Sequence, residues 1–213
     1  MFFQINYTAK IKAYKITKME HPLIKIMSSA VPMALGEAAL ILSYFTKKRF
    51  KRHDVLIHEG EVAPAIFFVE NGGLHLFYND ENGNEKSCDF IFENEFITDL
   101  LSFSKKIPAA CFIKALEPTV CYVITAADFS ELLEYSPSTK AYYNLIVEQI
   151  AVEGIRRTKS LQSSSPEKIF VELLAHRPNI FQRVPQRHIA QYLGIAPESL
   201  SRIKKRMLLH SKS

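Results

Sequence analysis

A chain of 213 residues, 47% of them apolar, can bury a core in one large domain or two small ones, which excludes a disordered protein. The net charge of +5 is modest, but from Arg156 onward three acids face twelve bases, so the basic surplus sits in the C-terminal part, as in a phosphate-binding module. Cys88, Cys111 and Cys121 are odd in number and form no CxxC, which argues for reduced thiols in a cytoplasmic protein, and no apolar run is long enough to span a membrane.

Residues 1–20 carry bases and almost no acids and lack the continuous apolar stretch of a signal peptide, so they read as a basic N-terminal extension. From Pro22 to Phe50 apolar residues recur at helical spacing, and Pro32 and Gly36 divide the region into two or three short helices. From Lys51 the texture changes to short apolar runs: Val55–Ile57, Ala65–Val69, Leu74–Tyr78, Ser87–Phe92, Cys111–Leu116 and Val120–Ile124. Turn residues separate them, with Asn82-Gly83 as the strongest hairpin signal. This pattern predicts an antiparallel barrel or roll.

After Ala126 the pattern is helical again. A short helix, Ala127–Tyr135, precedes a longer one from Pro137 to about Leu161. Tyr142, Leu145, Ile146, Ile150 and Val152 give the long helix an apolar stripe that fits packing on a second copy of itself. Ser163-Ser164-Ser165-Pro166 reads as a hinge, with Ser165 capping a helix that runs to about His176. A short extended piece, Ile180–Val184, leads onward.

The stretch from Val184 to Met207 carries the most information. Ile189, Ala190 and Leu193 mark one short helix, Gly194 supplies a left-handed turn, and Pro197 opens a second helix striped by Leu200, Ile203 and Met207. Glu198, Ser199, Ser201, Arg202, Lys204, Lys205 and Arg206 occupy its other faces. Two short helices about a glycine turn, the second basic, have the layout of a DNA-binding helix-turn-helix, the alternative being an ordinary solvated helical hairpin.

The order of parts resembles the Crp/Fnr family of bacterial transcription regulators. HIAQYLGIAPESLSRIKK is similar to that family's I-A-x-x-L-G-[VI]-[ST]-x-E-[ST]-[VL]-[SG]-R unit, while Glu59-Gly60, Asn71-Gly72-Gly73 and Ala115-Leu116-Glu117 match the framework of its cyclic-nucleotide-binding roll. The resemblance implies an α+β chain. Residues 21–136 form an antiparallel β-roll sensor domain with flanking helices, 137–162 a dimerisation helix, 163–166 a hinge, and 167–213 a winged helix-turn-helix.

It also implies that Glu198 and Arg202 read base edges. A glutamate accepts from a cytosine amino group and an arginine grips guanine in bidentate fashion. Ser199 reaches a phosphate or a base, Lys204, Lys205 and Arg206 hold the backbone phosphates, and Arg187 and Ser201 complete the DNA-binding set. Pro197 and Ala196 depart from the unit, so the preferred site and the helix start differ from those of other members.

The family's phosphate cassette is not matched. Aligning Phe96-Ile97-Thr98-Asp99-Leu100 with its first part puts Thr98 at the glycine and Asp99 at the glutamate. Ala109 and Ala110 then replace its arginine and hydroxyl residue. Phe96, Thr98, Asp99, Leu100, Ala109 and Ala110 therefore bound a candidate effector pocket without the charge partner of a phosphate. The expectation is a homodimeric, non-enzymatic regulator that binds a palindromic double-stranded operator and does not take cyclic AMP in the usual way. RNA polymerase and an unknown small molecule are further expected partners. No cofactor, metal or membrane association is expected, because the histidines form no HxH or HExxH. The alternatives are a roll that binds a cyclic nucleotide or another small ligand through an unorthodox pocket and, more remotely, a cupin-like enzyme.

Overall fold

The computed structural model describes residues 20–34 and 36–210. All of the expected N-terminal extension except Glu20 lies outside them. Helix α1, Pro22–Ala30, starts with proline in its first turn and with the His21 ring accepting from the Leu23 amide at 3.2 Å. Helix α2, Glu37–Ser43, follows Gly36, whose φ of 97° suits glycine.

The helical reading fails at Thr46–Phe50, which is strand β1. Three consecutive bases there, Lys47 to Arg49, lie along a sheet edge and are exposed. Charged edge strands discourage pairing with foreign strands, and this one is held by its ladder with β8, Thr119–Thr125.

The remaining strands are β2 (Val55–Ile57), β3 (Ala65–Asn71), β4 (Leu74–Asn79), β5 (Glu85–Ile91), β6 (Phe96–Ile97) and β7 (Phe112–Ala115). Strand β6 and the short helix α3, Leu100–Lys105, were not marked by periodicity. The strands form two antiparallel four-stranded sheets, in the orders β1-β8-β3-β6 and β2-β7-β4-β5, which close into a roll. Residues 65–69 are all buried, because the sheet interior covers one face of β3 while α1 and neighbouring side chains cover the other. The Asn82-Gly83 hairpin forms, with only Gly83 left-handed at φ 77° and Asp80 collecting the loop amides of Asn82 and Asn84. At Gly72, φ is 96° and a Cβ would lie 2.6 Å from Thr119 Oγ1, so no other residue fits.

Helix α4, Ala126–Tyr135, leads into α5, Pro137–Ser163. Ser136 caps α5 through the Thr139 amide, and Glu37 reaches across to it. One Glu37 oxygen accepts from the hydroxyls of Ser136 (2.8 Å) and Ser138 (2.9 Å) and from the Ser138 amide (3.2 Å). Desolvation pushes the Glu37 carboxyl up, but these bonds and one from the Ala34 amide outweigh it and hold it below the usual range. Because the folded pKa is depressed, the group stabilises the fold above the ordinary glutamate value and loses that contribution as pH falls through the folded value. Glu37→Ala should cost about 1–3 kcal/mol at neutral pH by orphaning two buried hydroxyls. In melting curves, the gap between variant and parent should narrow as the pH falls below the ordinary glutamate range.

Beyond Ser164 lie α6 (Pro166–His176), α7 (Ile180–Arg183), α8 (Gln186–Tyr192) and α9 (Pro197–His210). Ser165 caps α6 through the Lys168 amide, as its sequence implies. The extended piece expected at Ile180–Val184 is instead one helical turn, because Ile180 is buried in the head's core and its carbonyl takes the Val184 amide. Among the described residues the C-terminal unit is entirely helical, so the expected wing strands are not part of it.

Candidate DNA-binding face, roll cavity and the joint between them

Helices α8 and α9 meet about Gly194, whose φ is 69°. Ile189, Ala190, Leu193, Leu200 and Ile203 are buried together with Phe170 and Leu173 of α6, Ile180 of α7 and Val184 just beyond it. At 3.6 residues per turn, anchoring Leu200 and Ile203 inward turns Glu198, Ser201, Arg202 and Lys205 to the opposite face, and all four are exposed. Ser199 is half-buried beside them.

Two of the expected phosphate contacts are engaged within the chain. Lys204 is half-buried, with Nζ 5.6 Å from the Phe181 ring centre, and Arg206 pairs with Glu167 of α6. Arg187 is exposed on α8, with Nε 3.3 Å from His188 Nε2. The outward face of α9 therefore carries one acid, one serine and two bases that no strong ion pair occupies.

The roll encloses a cavity of about 270 Å³ between its two sheets and α5. Phe96, Thr98 and Leu100 line it with Ile66, Ile124 and Tyr142. Its walls are almost wholly apolar, and among the described residues no histidine or carboxylate lines it, so it lacks the metal cluster of a cupin-like enzyme.

Asp99, Ala109 and Ala110 stand outside the cavity in a closed hydrogen-bond system. Asp99 caps α3, accepting from the Ser102 amide at 2.9 Å. Its other oxygen accepts from the Ala110 amide at 3.0 Å and from the Cys111 thiol at 3.4 Å. Burial and that neighbouring carboxylate push the Cys111 thiol up to about 12. Buried Ala109 pairs with the turn at Gly60-Glu61 through both its amide and its carbonyl. The six expected pocket residues are thus split: three face the cavity, and three form a site already filled by the chain's own carboxylate.

The helix-turn-helix head rests on the roll, a joint that sequence reasoning missed. Phe90 of β5 is fully buried within the head's apolar cluster, and its ring lies 5.7 Å from that of Tyr192. Arg177 donates to Asp89 Oδ1 at 3.0 Å and to the Phe90 carbonyl at 2.6 Å. Arg183 makes two parallel bonds to Glu93, of 2.7 and 3.0 Å, and also holds Glu117. Arg157 of α5 stacks 3.7 Å from the Tyr192 ring centre.

All three arginines belong to the basic surplus that composition assigned to phosphate. Instead Arg177 and Arg183 neutralise acids of the roll. The signal available in the sequence was Phe90-Ile91-Phe92: consecutive apolar residues on a strand point to both faces of a sheet, so its outer face requires a cover.

Residues 47–136 match the family model described as cyclic nucleotide-binding domain. The cAMP-activated global transcriptional regulator CRP of Escherichia coli is 21% identical over 183 residues, covering 77% of this chain and 83% of that protein. Among solved structures, FixK2 from Bradyrhizobium japonicum superposes with a TM-score of 0.65 at 12% identity, covering 78% of this chain and 86% of that one. The catabolite activator protein of Thermus thermophilus gives 0.56 at 16% identity, covering 90% and 88%. Residues 47–136 thus carry a cyclic nucleotide-binding domain, and the chain as a whole is similar in sequence and in fold to regulators of the Crp/Fnr type.

Proposed function

We propose that the chain is a cytoplasmic, homodimeric transcription regulator that reads a palindromic operator with α9 and does not take cyclic AMP. The observation that carries this reading is the outward face of α9, where Glu198, Ser201, Arg202 and Lys205 project from a helix anchored by buried Leu200 and Ile203. An arginine and a glutamate one turn apart can read adjacent base pairs in the major groove, and a neighbouring lysine fixes the register on phosphate. The relative in Escherichia coli bears the name of a transcriptional regulator, in line with this reading and against an enzyme. Fluorescence anisotropy of the full chain on duplex DNA tests it. Affinity should fall steeply with salt, with the slope set by the phosphates contacted.

Dimerisation is supported by the second half of α5. Its first half lies on the roll, with Tyr142 buried and Leu145 and Ile146 packed against the core. Further along, Ile150, Val152 and Ile155 are 51, 60 and 72% exposed, which is far too open for a helix that packs only on its own chain. Ala151 and Gly154 on the same stretch let a second helix approach closely. Ile155→Glu should convert the dimer to a monomer in sedimentation equilibrium while leaving the melting of the roll unchanged, because a charge at that seam has no partner.

Exclusion of cyclic AMP rests on Asp99. A phosphate at the cassette would meet a carboxylate that already holds the Ala110 amide, and no arginine stands at Ala109 to offset the repulsion. The adjoining cavity offers an apolar wall, which suits an uncharged effector. Calorimetry with cyclic AMP should show no binding tighter than about 1 mM. Micromolar binding would require the cassette to open.

A further inference from the structure

The joint between roll and head contains a group of side chains that the functions above do not use. His75 on β4, Glu85 on β5 and His188 on α8 each offer a ligating atom within 4.8 Å of the other two. His75 is fully buried, His188 is 5% exposed, and Glu85 is half-buried at the rim. His75 and Glu85 lie on the paired strands β4 and β5, and only the docking of head on roll brings His188 to them.

The hydrogen bonds around the two rings set their tautomers. Ser87 has one proton, and it donates that proton to Gln191 Oε1 at 3.0 Å. His75 Nε2, 2.9 Å from Ser87 Oγ, must therefore be the donor, which leaves the lone pair on Nδ1. That Nδ1 is buried and has no hydrogen-bond partner among the described residues. The Gln191 carbonyl also faces His188 Nδ1 at 3.2 Å, so Nδ1 carries the proton and the His188 lone pair lies on Nε2. Fixing one ring nitrogen by an outer partner so that the other presents a lone pair is the arrangement that supports a metal-bound histidine.

We infer that His75, Glu85 and His188 form a divalent transition-metal site, of the zinc or cobalt class, that staples the helix-turn-helix head to the roll. Two imidazoles and one carboxylate suit such an ion, with a water completing four-coordination. Ligand atoms in a tetrahedral zinc site stand about 3.4 Å apart, so binding draws the three inward by roughly an ångström, within reach of side-chain rotation.

Two cations oppose the ion. Lys114 pairs with Glu85, and Arg187 Nε donates at 3.3 Å to His188 Nε2, the lone pair the ion would take. Lys114 retains the Phe77 ring, 4.3 Å from its ammonium, when the metal takes Glu85, and exposed Arg187 can turn to solvent. The site depends on the docked head and not on DNA binding, so it stands or falls separately from the reading of α9.

The test uses the metal-free full chain titrated with Co²⁺ and Zn²⁺. The expected result is one Co²⁺ per chain with the intense visible absorption of four-coordinate cobalt, lost on adding Zn²⁺. Glu85→Gln, a rim substitution that leaves the fold intact, and His188→Gln should each weaken binding by roughly tenfold or more, while His58→Ala should not. Zn²⁺ should also slow proteolytic cleavage at Ser163–Pro166 in the parent and not in His188→Gln. Weak six-coordinate absorption, or equal affinity in the parent, Glu85→Gln and His188→Gln, would overturn the inference.

Discussion

Phe90→Ala should cost about 3–5 kcal/mol and separate the chain's unfolding into two transitions, because it removes a fully buried ring that belongs to the head's cluster although it is carried by the roll. The loss falls on docking. Phe90 points to the outer face of β5, where it meets Tyr192 and stacks 4.9 Å from His75, whereas Ile91 beside it belongs to the roll's own core. Phe68→Ala is the contrasting substitution. Phe68 is equally buried but lies among roll residues, so its removal should lower the melting of the roll itself. Calorimetric scans of the three proteins distinguish these outcomes, and limited proteolysis at the hinge adds a second readout. A single unchanged transition in Phe90→Ala would mean that head and roll do not pack together in solution.

Arg202→Ala should weaken binding to the preferred operator by about 5- to 150-fold, equivalent to about 1–3 kcal/mol, and relax preference at one base pair in each half-site. Arg202 is exposed on the outward face of α9, and among the described residues its guanidinium makes only a long hydrogen bond of 3.4 Å to the Glu198 carbonyl, so it is available to a guanine edge. Lys205→Ala should act differently. It should weaken all duplexes alike and lower the slope of log affinity against log salt by about one. Arg206→Ala should have the smaller effect of the basic substitutions, because Arg206 is already paired with Glu167. Equal losses on specific and random duplexes for Arg202→Ala would remove its role as a base reader.

The parts legible in the sequence are those set by short-range chemistry. Gly194, Pro197 and the Ile189–Ile203 stripe specified two helices and a turn, and Ser165-Pro166 specified a cap, because these signals act within a few residues. The missed parts depend on distant partners. Lys47 to Arg49 have no apolar alternation to mark a strand, and their conformation comes from the ladder with β8. Ile180–Val184 looks extended in isolation and coils because Ile180 finds the head's core.

At the candidate sites the residue types were legible and their partners were not. Asp99 was aligned with a ligand-binding glutamate, yet its oxygens are consumed by Ser102 and Ala110. Arg177 and Arg183 were counted as phosphate-seeking charge, yet they are held by Asp89, Glu93 and Glu117 on another domain. His75 and His188 are 113 positions apart in number and meet only across the joint. Charge counts locate a basic region, but only tertiary structure shows which of its members remain free.

The central claim is that α9 reads DNA as one of a symmetric pair. Selection of the full chain against a random duplex library tests it most directly. The account predicts enrichment of a palindrome whose half-sites are about 34 Å apart, one turn of the double helix. It also predicts that Arg202→Ala, put through the same selection, loses information at one position of each half-site. Recovery of no palindrome, or of the same motif with undiminished information by Arg202→Ala, would contradict it.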